Sequence, residues 1–320
     1  MEVPPTYIDA HTALDKLRHT WEFLAKPLII TNEQLLDVTK LFQTNYVVNF
    51  SQLNNNEKDT CYYKAAPDDV AFVNLSSGST GIPKCIQLTH RNLINRARGA
   101  NFFNQHQPDD AILNWLPFDH IGSISDWHIR CLELGCKVVY AQKAEILGRP
   151  LNWLDLIDKY RITHSWSPSF AYALINDALQ QEALSRIWDL SCVQFLLVAG
   201  EAISSHAVQD CLEKLAGYGL KKTAVRPAFG MAELGSGVTY YQPTEKAPLT
   251  FHRVDNSSRE GKIKRVTSDR NSTIFADLGA PIPGVTIRVV DSKGVVLPED
   301  TIGCLQVKGD VVFVGYYSNP

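Results

Sequence analysis

The stretch "VNLSSGSTGIPKCIQLTHRN", Val73 to Asn92, places Ser, Gly and Thr at six consecutive positions and then closes with Pro83 and Lys84 ahead of a helix-like segment. Exposed backbone N–H groups and hydroxyls on small residues, with a lysine at hand, make a cradle for phosphate oxygens. The first expectation is therefore a nucleotide-binding loop. It is not a P-loop of the G-x-x-x-x-G-K-[ST] kind. Gly78 and Gly81 lie too close together, Ile82 and Pro83 separate Gly81 from Lys84, and Cys85 stands where a magnesium-binding hydroxyl belongs. Pro83 steers Ile82 away from helical geometry, which moves the helix start to Thr89, a suitable N-cap. The stretch reads as strand, phosphate loop, short extended segment, helix. A Ser/Gly linker is the bland alternative, and the apolar "VAFVNL" before the loop and the amphipathic segment after it speak against it.

Outward from this loop, apolar β-branched runs alternate with helix-period segments. "PLIIT", "YVVNF", "VAFVNL", "AILNWLP", "CKVVYA", "ITHSW" and "QFLLVAG" read as short strands buried on both faces of a parallel sheet. Between them lie helices such as "LNWLDLIDKY", with Trp153, Leu154, Ile157 and Tyr160 on one face. The fold class expected is α/β: doubly wound, mostly parallel sheets with helices on both faces, followed by a small β-rich subdomain. The pattern changes after Tyr241, so residues 1–241 read as the α/β part and 242–320 as a charged segment plus the closing subdomain. Within the latter, "TEKAPLTFHRVDNSSREGKIKRVTSDRNST" reads as a surface excursion or mobile loop, with a hairpin as the lesser alternative. "GVTIRVVD", "GCLQVKG" and "VVFVGYY" read as strands of the subdomain.

Composition narrows the function classes. The chain has 320 residues, 45% hydrophobic and 20% charged, with a formal charge of −3. That balance gives no reason to expect nucleic acid or an anionic membrane as partner. Seven scattered cysteines without CxxC spacing read as reduced thiols of a cytoplasmic protein rather than a disulfide framework or zinc site. The N-terminus lacks a signal-peptide pattern and no apolar run reaches membrane-spanning length.

Five blocks in fixed order carry a resemblance. "LSSGSTGIPKCIQLTHRN" resembles the phosphate loop of the adenylate-forming (AMP-binding) superfamily, whose usual form is [TS]-S-G-[ST]-T-G-x-P-K-G, with Cys85 replacing the last glycine. "LPFDHIGSISDW" resembles its acyl-pocket segment, "VAGEAIS" its adenine-side strand and turn, and "AFGMAELG" its [YF]-G-x-[TA]-E block. The run from Gly279 to Pro320 resembles the close of its large N-terminal domain. The resemblance implies that Ser77, Gly78, Ser79, Thr80, Gly81 and Lys84 wrap the β- and γ-phosphates of ATP, with Lys84, Thr80 and Glu233 as the catalytic set. It implies that Glu233 meets Mg²⁺, that Phe229 and Gly230 flank the adenine ring, and that Gly200 and Glu201 line its other side. Each has a plainer reading: Glu201 as a carboxylate at a helix N-terminus, Phe229 as a core aromatic.

Ala232 stands where many relatives carry Thr, and "GMAE" and "LGAPIPGVTIRVVD" are similar to fatty acyl-AMP ligases and to loading domains of hybrid polyketide–peptide synthetases. The pocket segment offers His120, Ser123, Asp126 and Trp127, with His120 at the carboxylate side or, equally, a structural histidine. The function implied is ATP-dependent activation of a fatty, aryl or 2-oxo acid as acyl-adenylate, for transfer to the phosphopantetheine thiol of a carrier protein, or to coenzyme A. The alternatives are an amino-acid-activating domain using Asp119 or Asp126 for the ammonium, a non-catalytic nucleotide- or acyl-binding remnant, and, far behind, a P-loop phosphotransferase. Relatives continue into a ribose-binding aspartate, a hinge and a lid carrying a lysine, so the chain is expected to be the central portion of a larger enzyme.

Overall fold

The structure, a computed structural model, describes residues 11–33, 47–53, 60–76, 84–182, 186–255, 261–267 and 271–317. Strands are numbered in chain order. β1 (Ile29–Thr31) and β2 (Val47–Asn49) form a parallel pair of their own rather than joining the main sheet. β3 (Val70–Ser76) and β4 (Lys84–Thr89) flank the phosphate loop and pair antiparallel, Asn74 opposite Ile86 and Leu75 opposite Cys85. The expected short extended segment is thus a full strand, and "VAFVNL" lies outside the parallel sheet. A connection this short can only return the chain antiparallel, since parallel neighbours need a crossover of a dozen residues or more.

Thr89 caps the helix His90–Asn104, as its residue type predicts. Its hydroxyl accepts from the Asn92 N–H, and Asn92 Oδ1 accepts from the Thr89 N–H at 2.9 Å, a reciprocal capping box. The helix ends at Gln105 in left-handed conformation. Its inward face carries Leu93, Ala97 and Ala100, and also Arg96, an arginine with no exposed surface.

The main sheet follows from the buried runs. β5 (Ala111–Asn114), β6 (Lys137–Tyr140), β7 (His164–Trp166), β8 (Phe195–Val198) and β9 (Val225–Met231) are parallel. β10 (Ser236–Tyr240) returns antiparallel to β9, and β13 (Ala280–Pro281) antiparallel to β10. The spatial order is β13-β10-β9-β8-β7-β5-β6. Successive side chains of β8 enter opposite cores: Leu196 and Val198 pack with Trp153, Leu154, Ile157, Tyr172 and Val208, while Phe195 and Leu197 pack with Trp127, Trp166, Val238, Tyr240 and Ile282. Both faces are therefore dry, as a doubly wound sheet requires. β6 is half exposed because it is the edge strand.

Between β10 and β13, the charged stretch contains an antiparallel hairpin, β11 (Phe251–Asp255) with β12 (Ser272–Ala276). Beyond β13, β14 (Thr286–Val290) and β15 (Cys304–Lys308) make a second hairpin. Ile282, Val285 and Val311 are buried in the core on the β10 side of the main sheet. The run "VVFVGYY" departs from its expected place. β16 (Gly315–Tyr316) leaves the small hairpins and pairs antiparallel with β4, Tyr316 opposite Ile86, making β16-β4-β3 a three-stranded sheet. Among the described residues, no helix is long and apolar enough to cross a membrane.

Candidate active site

The parallel strands β7, β8 and β9 end along one edge, where open α/β sheets collect their ligands. Trp166 closes β7. Gly200 follows β8 with φ +89°, a conformation that favours glycine, and a Cβ there would touch the Trp166 ring at 3.7 Å. The turn is tied to its neighbour twice: Glu201 Oε1 accepts from the Phe170 N–H at 2.8 Å, and Ser169 Oγ accepts from the Ser204 N–H at 2.8 Å. Phe170 lies in the first turn of the helix Ser169–Glu182, so in this structure Glu201 is the helix-end carboxylate of the plainer reading.

Phe229 and Gly230 lie near the end of β9. Phe229 is half-buried and packs against the core that also holds Trp166. Gly230 faces Gly237 across the β9–β10 pair, and a Cβ at 230 would sit 2.1 Å from the Ser236 carbonyl oxygen. Only glycine allows the strands this close. Past Met231, the three-residue 3₁₀ turn Ala232–Leu234 presents Glu233 half-buried.

The phosphate loop meets this edge through its second strand. Lys84 opens β4, and its Nζ lies 5.2 Å from the ring centroid of Tyr316. The Tyr316 hydroxyl donates to Glu233 Oε1 at 2.9 Å, and the Phe313 N–H donates to the Glu233 carbonyl at 2.9 Å. Lys84 and Glu233, distant in sequence, are thus gathered around one tyrosine. Ser77, Gly78, Ser79, Thr80 and Gly81 lie outside the described residues. A half-buried carboxylate beside a lysine at the foot of a phosphate loop suits Mg²⁺, which keeps several waters and needs one or two carboxylates plus phosphate oxygens. Among the described residues Glu233 Oε2 accepts no hydrogen bond.

The pocket segment opens as a turn over 116–120 and is helical from Ile121 on: Ile121–Ile124, a π-helical Ser125–Ile129, then Arg130–Leu134. Ser123 is fully buried, its hydroxyl on the Leu116 carbonyl at 2.8 Å. Asp126, 3% exposed, has both oxygens engaged: Oδ1 pairs with Arg96 Nη1 and lies 3.3 Å from the Tyr240 hydroxyl, and Oδ2 accepts from Ser236 Oγ. Trp127 is 1% exposed, with the Arg130 guanidinium 5.2 Å from its ring centroid. These three face the interior. His120 stays at the surface end, where its Nδ1 caps the helix by accepting from the Gly122 N–H at 3.1 Å and its ring lies 5.1 Å from Trp166. Desolvation lowers its pKa, against the opposite pull of Asp119 and Asp126. Gly122 brings the helix against Trp166, since a Cβ there would fall 2.1 Å from the indole.

The residues missed in the sequence are Trp166, Arg96 and Tyr316. Arg96 had a signal: a lone cation among the apolar positions Leu93, Ala97 and Ala100 demands a buried partner. Away from this edge, His106, Asp110 and His164 are buried with donor atoms within 4.8 Å of one another. His106 Nδ1 and His164 Nε2 already share a hydrogen bond at 2.9 Å. Burial, with the positive charges of Arg130 and Arg226, pushes both imidazole pKa values well down. The same field opposes a divalent cation, so the two imidazoles read as a neutral hydrogen-bonded pair.

A doubly wound sheet, with the β3–β4 hairpin tied to the end of β9 through Tyr316, is the fold that solved adenylation domains share. The chain belongs to the AMP-binding enzyme family, whose profile matches residues 11–317. A solved adenylation domain of a keto acid-selecting NRPS module, bound to keto acyl adenylate, superposes with a TM-score of 0.92 at 35% identity, covering 99% of this chain and 59% of its own. The nonribosomal peptide synthetase btyA of Aspergillus terreus is 34% identical over 263 residues, 79% of this chain and 26% of the synthetase. Fatty acyl-adenylate ligases from E. coli and L. pneumophila share the fold, with a TM-score of 0.89 at 24% identity over 96% of this chain and 57% of theirs. The chain therefore spans less than two thirds of the length of each of these relatives.

Proposed function

We propose that this chain binds Mg²⁺ and ATP at the Lys84–Tyr316–Glu233 edge and, within a longer protein, activates a carboxylic acid that lacks an α-ammonium, foremost a 2-oxo acid. The acid's carboxylate oxygen attacks the ATP α-phosphorus, the bond to the bridging oxygen breaks, and pyrophosphate leaves, giving acyl-adenylate. The phosphopantetheinyl thiol of a carrier protein, or that of coenzyme A as the alternative acceptor, then attacks the acyl carbon; the bond to the adenylate oxygen breaks, AMP leaves as the anion, the thiol proton passes to solvent, and a thioester remains. The observation that carries the nucleotide reading is that Lys84 and Glu233, distant in sequence, both contact Tyr316, one at its ring and the other at its hydroxyl. Lys84 and the 77–81 loop hold the outer phosphates, and Thr80 orients them. Glu233 receives Mg²⁺, which when bound neutralises charge on the polyphosphate. Phe229, Gly230, Gly200 and Glu201 frame the adenine, Glu201 by releasing or sharing its Phe170 contact. His120 stands at the carboxylate side. Much of the catalysis is positioning in a site that excludes water. Scattered cysteines without CxxC spacing support a reducing, cytoplasmic setting.

The preference for an acid over an amino acid rests on the two carboxylates that could meet an ammonium: Asp119 is exposed in the turn ahead of the helix, and Asp126 is buried. Its carboxylate is consumed by Arg96 and Ser236, leaving none of its charge for a substrate ammonium. An ammonium buried without a partner costs several kcal/mol. The keto acid selected by the 35% identical module fits the same reading.

Calorimetric titration tests the nucleotide half. Mg·ATP binds, and Lys84→Ala weakens ATP roughly tenfold while leaving AMP within about twofold, the loss of one charge-assisted phosphate contact. A folded sample with no ATP binding at millimolar concentration overturns the reading. The substrate half is tested by pyrophosphate exchange in the protein extended through a lid, where a 2-oxo acid should outcompete its 2-amino analogue by roughly a hundredfold.

A further inference from the structure

We propose that Tyr316 is a positioning residue of the nucleotide site, holding the cation-binding carboxylate of Glu233 and the phosphate-binding ammonium of Lys84 apart and aimed at the ligand; the inference rests on the Mg·ATP reading above. Glu233 and Lys84 carry opposite charges on neighbouring elements, and a direct ion pair between them would neutralise both groups before a ligand arrives. No such pair is present among the described residues. Instead the tyrosine meets each with a different part: its hydroxyl donates to Glu233 Oε1 at 2.9 Å, and its ring lies 5.2 Å from Lys84 Nζ. A hydroxyl on one carboxylate oxygen leaves the other for a cation, and an aromatic face holds an ammonium without neutralising it.

The backbone makes Tyr316 fit for this. Gly315 and Tyr316 are paired to Gln87 and Ile86 of β4, the Tyr317 N–H donates to the Cys85 carbonyl at 2.8 Å, and the Phe313 N–H holds the Glu233 carbonyl. Phe313 packs edge-on against the Tyr316 ring at 4.8 Å. The side chain is thus anchored to both elements whose functional groups it separates.

The test is ATP titration of the 320-residue chain, once in Mg²⁺ and once in EDTA. For Tyr316→Phe, which keeps the ring, the dissociation constant in Mg²⁺ rises about fivefold and that in EDTA stays within about twofold, reflecting loss of one hydrogen bond to a charged group. For Tyr316→Ala, both constants rise, because Lys84 and Glu233 are free to collapse together. Glu233→Gln removes the advantage of Mg²⁺ over EDTA in every background. Thermal unfolding of Tyr316→Phe confirms a folded protein, so that variant carries the test if Tyr316→Ala does not fold. Equal constants for wild type and Tyr316→Phe in both media, or equal losses in both, overturn the inference while leaving the Mg·ATP reading intact. Absence of ATP binding by wild type in either medium overturns both.

Discussion

Arg96 and Asp126 form a buried ion pair on which two other features lean. Among the described residues Arg96 Nε and Nη2 find no hydrogen-bond acceptor, so Asp126 is the principal compensation for a guanidinium with no exposed surface. Ser236, whose hydroxyl also reaches Asp126, sits at φ +127°, a strained value for a non-glycine residue. Asp126→Ala leaves a buried cation unpaired and should cost about 3–5 kcal/mol in urea unfolding. A compensating Arg96→Met with Asp126→Leu should recover most of it, because the pair itself contributes little beyond an apolar replacement. A loss below about 1 kcal/mol for Asp126→Ala would return that residue to the pocket wall.

At the scale of elements, the join between the phosphate hairpin and its helix carries the most information. Asn92 completes the cap on Thr89 and also donates from Nδ2 to the Asp310 and Val312 carbonyls at 2.7 and 2.9 Å. Thr89→Ala should cost about 1 kcal/mol, and Asn92→Ala about twice that, since it also strands two carbonyls of the segment leading to β16. Equal urea midpoints for the two variants would deny Asn92 its second role. Thr89 was legible in the sequence because a cap is local chemistry. So were four of the seven runs read as parallel strands, those of β5, β6, β7 and β8, while the other three lie in separate small sheets. The partner of β4 was not: "VVFVGYY" has the composition of a strand but nothing in it says which sheet it joins. The sequence offers Ser123, Asp126 and Trp127 as pocket residues but does not say which way they face; the helix, with its π turn, carries all three buried.

For the whole molecule, the hydrogen-bonded histidines link stability to pH. His106 follows the helix that the phosphate hairpin starts, and His164 opens β7; Thr163 Oγ1 lies 2.6 Å from His164 Nδ1 and 3.2 Å from Asp110 Oδ1. Desolvation holds both imidazoles neutral, aided by Arg130 and Arg226 and, for His106, by Arg96. Above the unfolded histidine pKa of about 6.5, neither state binds these protons and the pair is neutral to stability. As pH falls below it, the unfolded chain takes up protons the folded chain resists. Stability therefore declines by up to about 1.4 kcal/mol per pH unit for each histidine. Asp110, its pKa raised by burial, offsets part of this only near its own more acidic range. Urea midpoints between pH 7.5 and 5.5 check it: the midpoint should fall in wild type and fall less in His106→Gln with His164→Gln. A flat profile in wild type excludes the linkage.

The pairing of Gly315–Tyr316 with β4 also has a bearing on how the chain is made. A ribosome adding about 5–20 residues per second needs roughly ten to fifty seconds to pass from Gln87 to its partner Gly315. Throughout that interval the β3–β4 hairpin offers an unsatisfied strand edge to whatever else is nascent. Protection of the Gln87 and Ile86 carbonyl edge is a late event of synthesis, and the candidate nucleotide site is assembled only when nearly the whole of this sequence has emerged.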